Sequence, residues 1–103
     1  MSGFALHPAA LTDLDEIWEF IAADNIGAAD RVLEEVRSAM HSLAAFPQMG
    51  HARSDLTSKP LRFHPVRHFL IAYAPDEKPL VVVAVIHGQR SPRIIAALLS
   101  GRE

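Results

Sequence analysis

The stretch Leu80-Val81-Val82-Val83-Ala84-Val85-Ile86 contains no polar residue. Its β-branched residues predict a β-strand from Leu80 to His87. A strand with one face in water alternates apolar and polar residues, and this stretch does not alternate. Both faces of the strand therefore need a cover, and the fold depends on where the chain finds one.

Two amphipathic helices precede the strand and predict a cover for one of its faces. Apolar residues recur at helical spacing in the first helix, which begins near Pro8, at Leu11, Leu14, Ile17, Trp18 and Ile21. Residues 24–27 are expected to end this helix. A second helix is predicted from Ala28 to Phe46, where Pro47 stops it. So short a connection makes the two helices an antiparallel hairpin.

Shorter segments complete the predicted fold. Phe4–Leu6, Leu61–Val66 and Phe69–Tyr73 are rich in apolar residues and bounded by turn residues, which predicts three further strands. Ser91 has the position of a helix N-cap and Pro92 that of the first helical residue, so a short C-terminal helix follows. The order is β-α-α-β-β-β with a C-terminal helix or tail, an α+β fold in a single domain over residues 1–103.

The second face of the last strand has few candidates for its cover. Only the polar loop 48–60 and the C-terminal segment remain, so either the tail folds back over this face or the face forms an apolar groove for another protein. The sequence favours the groove. Its candidate residues are Leu70, Tyr73, Val81, Val83, Val85, Ile94 and Leu98.

Composition narrows the class of protein. The chain has 103 residues, enough for one core, and no cysteine, which excludes a disulfide framework and a thiolate nucleophile. Its longest apolar run is far shorter than the ~20 residues of a membrane span, so we expect a cytoplasmic protein without membrane association. His64 and His68 are four residues apart, a spacing that suits a metal site on a helix, but they lie on either side of Pro65 in a region predicted to form strands, so we expect no metal site and no cofactor.

Charge is divided unevenly along the chain. Residues 1–50 contain eight acidic and two basic residues, a net charge of −6, whereas residues 51–103 contain eight basic and four acidic residues, a net charge of +4. This asymmetry indicates an acidic and a basic face, which either attract each other or meet separate partners. The acidic residues of the first helix are expected to face solvent, namely Asp13, Asp15, Glu16 and Glu19.

Eight segments carry a resemblance to a known family. They are His7–Ala10, Asp13–Ala22, Ala28–Val32, Phe46–Gly50, Ala52–Leu56, Leu61–Arg62, Phe69–Tyr73 and Val85–Arg90. In this order they resemble the ParE/RelE superfamily of bacterial toxins over nearly the whole chain. The resemblance implies a helical hairpin packed on a twisted antiparallel sheet, the architecture that the periodicity also predicts. It further implies a cognate small antitoxin, ParD-like, that buries the apolar groove in a toxin–antitoxin hetero-oligomer.

The superfamily that the chain resembles divides by activity. RelE-like members cut mRNA on the ribosome, often with a tyrosine or histidine near the C-terminus, whereas ParE-like members bind and inhibit DNA gyrase. Residues 91–103 contain no tyrosine, histidine or lysine, which favours the ParE-like branch, a toxin that acts by binding rather than as an enzyme. The candidate residues for binding the target are Arg67, His87, Arg90 and Arg93.

Three alternatives to this interpretation stay open. In a RelE-like endoribonuclease, Arg53, Arg62 and Arg90 would contact the message, and the partners would be the ribosome and mRNA. A non-toxic protein-interaction module would keep the antitoxin-like partner and have no toxic target. Arg90 is alternatively a structural ion-pair partner, for a helix carboxylate or for Asp55.

Overall fold

In the computed structural model, which describes residues 3–102, a helical hairpin and a short C-terminal helix lie on opposite faces of a four-stranded sheet. The strands are β1 (Phe4–Leu6), β2 (Arg62–Val66), β3 (Phe69–Ala74) and β4 (Leu80–His87), and the helices are α1 (Pro8–Ala22), α2 (Ile26–Ala45) and α3 (Pro92–Ser100). The predicted α+β class and order of elements are confirmed. Within the described residues, no helix is both long enough and apolar enough to cross a membrane.

The sheet has the strand order β1-β4-β3-β2, with β4 inside it. β4 pairs antiparallel with β3, and β3 pairs antiparallel with β2, but β1 runs parallel to β4. Parallel neighbours need a long crossover connection, which the helical hairpin and the two intervening strands supply. The sheet is therefore mixed. The parallel pairing of β1 with β4 differs from the antiparallel sheet that was expected.

Side-chain caps set the beginnings of the helices. α2 begins at Ile26, two residues before its predicted start, because the Asn25 side chain accepts a hydrogen bond from a first-turn N–H at 2.9 Å. Gly27, expected in the segment that stops α1, lies inside α2 instead. For α3 the expectation is confirmed: the Ser91 hydroxyl accepts a hydrogen bond from a first-turn N–H at 3.3 Å, and Pro92 follows it.

A β-bulge at Val83 decides which β4 side chains face which layer. The register with β3 passes from Val82 to Ala84 and leaves Val83 without a partner. As a result Val82 and Val85 face the helical hairpin, while Val83 and Ala84 both face α3.

One apolar core fills the space between the hairpin and the sheet. Its fully buried members include Val36, Met40 and Leu43 of α2, and Ile71 and Tyr73 of β3. At about 25 cal/mol per Å² of apolar surface, burial of such side chains is the largest favourable contribution to folding.

The opposite face of the sheet is closed by the chain itself. Two residues of α3, Ile95 and Leu99, are buried against it. Leu56 and Leu61, from the loop between α2 and β2, are buried there as well. The Lys59 ammonium donates to the backbone carbonyls of Leu99 and Arg102, at 3.3 and 2.5 Å, and so fixes the end of α3. Of the two alternatives left by the sequence, the structure shows the C-terminal segment folded back.

An ion pair at the edge of β4 joins α1 to the segment after α3. The Arg102 Nη1 and Nη2 atoms lie 2.6 and 2.9 Å from the two Asp13 carboxylate oxygens, and the side chains are 14% and 11% exposed. Asp13 also accepts from the Val85 N–H at 3.0 Å, and Arg102 donates to the Val83 carbonyl at 3.1 Å. The pair therefore satisfies backbone groups that a neighbouring strand would otherwise bond.

The burial of Asp13 contradicts the expectation that this residue faces solvent. Ala10, Asp13 and Ile17 are spaced three and four residues apart, so they share one face of α1. Ala10 is 0% exposed and Asp13 is 9% exposed. Asp15, Glu16 and Glu19 do face solvent, as predicted.

Loss of either partner of this ion pair should destabilise the fold. Removal of one side chain leaves the other charge buried without a partner, so Arg102→Ala and Asp13→Ala should each lower the free energy of unfolding by about 3 kcal/mol. The measurement is urea unfolding of each variant.

The control for this experiment is Arg53→Ala. The Arg53–Asp55 pair is 42% and 50% exposed, and loss of such a surface pair should cost about 1 kcal/mol or less. If Arg102→Ala unfolds at the same urea concentration as Arg53→Ala, the Asp13–Arg102 pair does not stabilise the fold.

Candidate functional site

A groove of about 610 Å³ runs along the open edge of β4. We call it the edge groove. It is bounded by α1, by α3 and Arg102 beyond it, and by the turn between β2 and β3. Its lining residues are Asp13, Glu16, Ile17, Phe20, Ile21, Val32, Arg67, His68, Phe69, Val85, Ile86, His87, Arg90, Leu98 and Arg102.

The edge of β4 is open because β1 is short. β1 pairs only with residues 80–82, and the chain then turns into α1 at His7, whose N–H donates to the Val82 carbonyl at 2.9 Å. Beyond this point the edge of β4 meets first the Asp13–Arg102 pair and then the groove. The position of the groove thus follows from the early end of β1, which leaves residues beyond Val82 without a neighbouring strand on this side within the described chain.

The floor of the edge groove is apolar. Ile17 and Ile21 of α1, Val32 of α2, and Val85 of β4 contribute to it, and Phe20 stands at its side. The Phe20 side chain is 84% exposed, and burial of such a ring against a partner is worth ~1.5–3 kcal/mol. An apolar surface rimmed by charged groups is typical of a protein-binding site.

Basic side chains form one end of the rim. The His68 and His87 rings stack nearly parallel, with an interplanar angle of 8° and centroids 6.4 Å apart. Arg90 follows three residues after His87, and within the part of the chain that the structure describes no ion pair or side-chain hydrogen bond engages its guanidinium group. The Arg90 charge is therefore available to a partner.

Arg67 stands at the same end but is already paired. Its Nε and Nη2 atoms each lie 2.6 Å from a Glu35 carboxylate oxygen. These hydrogen bonds lower the pKa of Glu35 and raise that of Arg67. Arg67 also has a backbone φ of 54°, in the left-handed region that residues with side chains seldom adopt. The pair thus ties the β2–β3 turn to α2.

The structure brings three of the four target-binding candidates together. Arg67, His87 and Arg90 all line the edge groove. Arg93 is exposed in the first turn of α3 and is not among the lining residues.

Three of the predicted groove residues are buried within the protein. Tyr73 and Val85 belong to the core beneath the helical hairpin, and Val83 belongs to the core beneath α3. Of these, Val85 also lines the edge groove.

The other predicted groove residues are more accessible. Leu70, Val81 and Leu98 are half-buried around the core beneath α3, and Ile94 is 54% exposed on α3. Leu98 is the one among these four that lines the edge groove. The predicted groove face and the edge groove therefore share only part of their residues.

The arginines proposed for RNA cleavage have local partners. The Arg53 Nε and Nη2 atoms lie 2.9 and 2.7 Å from the Asp55 carboxylate oxygens, which raises the pKa of Arg53 and lowers that of Asp55. Arg62 donates to the carbonyls of Gly50 and Gln48, at 2.9 and 3.3 Å. Asp55, the alternative partner of Arg90, is thus engaged elsewhere.

These arginines also lie at different ends of the sheet. Arg62 pairs with Tyr73, which pairs with Val82, whereas Arg90 lies beyond His87. The five residue-to-residue steps from Val82 to His87 span roughly 16 Å of strand. The structure therefore does not bring Arg62 and Arg90 together.

Tyr73 has a structural role that the sequence pattern did not indicate. Its hydroxyl donates to the Pro47 carbonyl at 2.7 Å and accepts from the Gly50 N–H at 2.9 Å. A Cβ atom at Gly50 would lie 2.6 Å from this hydroxyl, so only glycine fits there. The signal in the sequence was a single tyrosine in an otherwise apolar strand, since a buried hydroxyl needs a partner.

The histidines do not gather into a metal site. Within residues 3–102, no group of three or more histidine and carboxylate side chains is placed to hold an ion. His64 is half-buried on β2, and its burial, together with the nearby His51, lowers the pKa of its imidazole.

The fold and the chain's resemblance identify the class of protein as a toxin of the ParE/RelE superfamily. The sequence model of the family "ParE toxin of type II toxin-antitoxin system, parDE" matches residues 4–92. The chain belongs to this family. A relative, Toxin ParE3 of Caulobacter vibrioides, is 30% identical over 78 residues, which cover 75% of this chain and 77% of the relative.

Membership in this family implies a cognate antitoxin as a partner. The match covers β1 to β4 and ends at the start of α3. Most of α3 and Arg102 therefore lie beyond the part of the chain that the family model matches.

The Tyr73 hydroxyl should contribute to stability and not to activity. Tyr73→Phe leaves the Gly50 N–H and the Pro47 carbonyl without their partner, so the free energy of unfolding should fall by about 1–3 kcal/mol. Urea unfolding measures this change, and growth arrest on expression measures toxicity. Unchanged stability with lost toxicity would instead identify Tyr73 as a functional group.

Proposed function

We propose that this protein is a binding-type toxin that inhibits DNA gyrase, and that its cognate antitoxin neutralises it. Family membership supports a toxin with an antitoxin partner. One observation carries the choice of a binding mechanism: Arg53 and Arg62 are engaged in local bonds, whereas no residue among 3–102 pairs with Arg90, which lies beside an apolar groove. An apolar floor with a charged rim suits recognition of another protein.

The edge groove is the proposed contact surface for the target. Phe20 offers an apolar anchor and Arg90 offers a charge that a complementary carboxylate can pair. An antitoxin that covers the same groove would neutralise the toxin by excluding its target. We expect the two chains to form a hetero-oligomer in the cytoplasm.

A second candidate function is cleavage of ribosome-bound mRNA. The observation in its favour is the stacked pair of His68 and His87, which lines the edge groove together with Arg90. An imidazole can take a proton from a ribose hydroxyl near neutral pH, and a guanidinium group can stabilise the charge that develops on the phosphate.

Gyrase inhibition should depend on the charge of Arg90. Arg90→Glu reverses the unpaired charge at the groove, so it should weaken inhibition of supercoiling by purified protein at least tenfold, about 1.4 kcal/mol. Lys78→Glu is the matched control, because Lys78 is an exposed cation in the β3–β4 connection, at the other end of the sheet. The control should inhibit like the unchanged protein.

Three results would contradict this proposal. Folded protein free of antitoxin that does not inhibit supercoiling at all would exclude gyrase as the target. Cleavage of mRNA on ribosomes that is lost in His87→Ala would support the second candidate function. Expression without growth arrest, together with binding of the antitoxin, would indicate a non-toxic interaction module.

A further inference from the structure

The open edge of β4 presents backbone groups to the edge groove. The Val85 N–H donates to Asp13 and therefore points away from β3, whereas the Gly88 N–H donates to the His68 carbonyl at 2.8 Å, across the β3 side. Residues of an antiparallel strand alternate between bonding one neighbour and facing the other side. Val85 and His87 thus both direct their N–H and C=O groups toward the groove.

Two of these four groups already have partners. The Val85 N–H bonds Asp13, and the His87 carbonyl accepts from the Arg90 N–H at 3.2 Å. Outside the ladder with β3, no hydrogen bond from residues 3–102 reaches the Val85 carbonyl or the His87 N–H. One residue of an added strand could therefore donate its N–H to the Val85 carbonyl and accept a hydrogen bond from the His87 N–H with its own carbonyl.

The outer edge of β2 is closed to such an addition. His51 and Phe63 exchange two backbone hydrogen bonds there, at 2.8 and 2.9 Å. Pro65, two residues further along β2, has no N–H to donate. A chain that extends the sheet therefore finds an unblocked position at the end of β4 and not along β2.

The edge groove lies on both sides of this open edge. Ile17 and Phe20 line it from the side of the helical hairpin, while Ile86 and Leu98 line it from the side of α3. In an extended chain successive side chains point to opposite faces. Two adjacent apolar residues of an added strand would thus fill both sides of the groove at once.

Charge at the groove favours an acidic neighbour for these apolar residues. The end beside His87 carries the basic side chains of Arg67, His68 and Arg90, and none of the described residues pairs with Arg90. At the other end the Asp13 and Arg102 charges compensate each other, and Glu16 adds one exposed carboxylate. A carboxylate on the added chain would meet Arg90 without displacing a bond that the protein already makes.

We propose that the edge groove binds an extended, acidic and apolar segment of a partner chain, which adds to β4 through the Val85 carbonyl and the His87 N–H. The inference rests on the proposed function for the source of the segment, which is the antitoxin. The same segment occupies the groove proposed for the target, so its binding is also the act of neutralisation.

The test uses the full-length isotope-labelled protein and a synthetic peptide, acetyl-Glu-Val-Ile-Glu-Val-Ile-Glu-amide. In the free protein the His87 amide should exchange rapidly with solvent, and at saturation with the peptide its exchange should slow at least tenfold, because it gains a hydrogen bond. The Val85 amide, bonded to Asp13, serves as the internal reference and should be protected in both states. A peptide with lysine in place of each glutamate should bind at least tenfold more weakly.

A matched pair of variants separates the backbone bond from the side chain. His87→Ala removes the ring and keeps the N–H, whereas His87→Pro also removes the N–H, which the ladder with β3 does not use. His87→Pro should bind the acidic peptide at least tenfold more weakly than His87→Ala. Equal affinity of the two variants, or a His87 amide that stays unprotected at saturation, would overturn the proposed strand addition. So would the absence of binding at millimolar peptide.

The outcomes keep this inference separate from the proposed function. An antitoxin that neutralises the toxin but binds His87→Pro as tightly as His87→Ala leaves the proposed function standing and overturns the strand addition. Protection of His87 by the acidic peptide, in a protein that does not inhibit gyrase, supports the strand addition and excludes the proposed target.

Discussion

The apolar character of β4 on both faces is the constraint on which the rest of the structure depends. The helical hairpin covers one face. The other face is covered by α3 and by the loop between α2 and β2. The bulge at Val83 divides the side chains between these layers, since it turns Val83 and Ala84 to the same side. A chain of 103 residues thereby encloses a central strand between two thin layers.

With both faces covered, β4 can meet a partner only at its edge. β1 occupies the first part of this edge, and the Asp13–Arg102 pair satisfies the backbone just beyond it. The remaining part opens into the edge groove, where apolar and basic side chains converge. The interaction that holds the end of α3 in place therefore also forms a boundary of the edge groove, the surface proposed for binding.

Much of the fold could be predicted from the sequence because it depends on local patterns. Helical spacing of apolar residues predicts α1 and α2, and Ser91 with Pro92 predicts the start of α3. The Asp13–Arg102 pair could not be predicted in this way, because 89 residues separate its partners. The position of Asp13 on the buried stripe of α1 was the available signal, since a carboxylate there requires a partner.

The candidate site was predictable only in part. Arg67, His87 and Arg90 stand at the ends of predicted strands, and the structure does bring them together. The edge groove itself depends on how early β1 ends, which no local pattern in the sequence specifies. Phe20 offered a signal: it lies off the apolar stripe of α1, and a large apolar residue in such a position indicates a surface that a partner covers.

Photo-crosslinking from within the edge groove tests most directly whether this groove is the protein's contact surface. A benzophenone amino acid would replace Phe20, 84% exposed in the groove, or Phe46, which is 68% exposed after the end of α2. We predict crosslinks from position 20 to a gyrase subunit when the toxin is alone and to the antitoxin when both are present, and none from position 46. Crosslinks to gyrase from position 46 alone, or from position 20 to ribosomal components alone, would contradict this account.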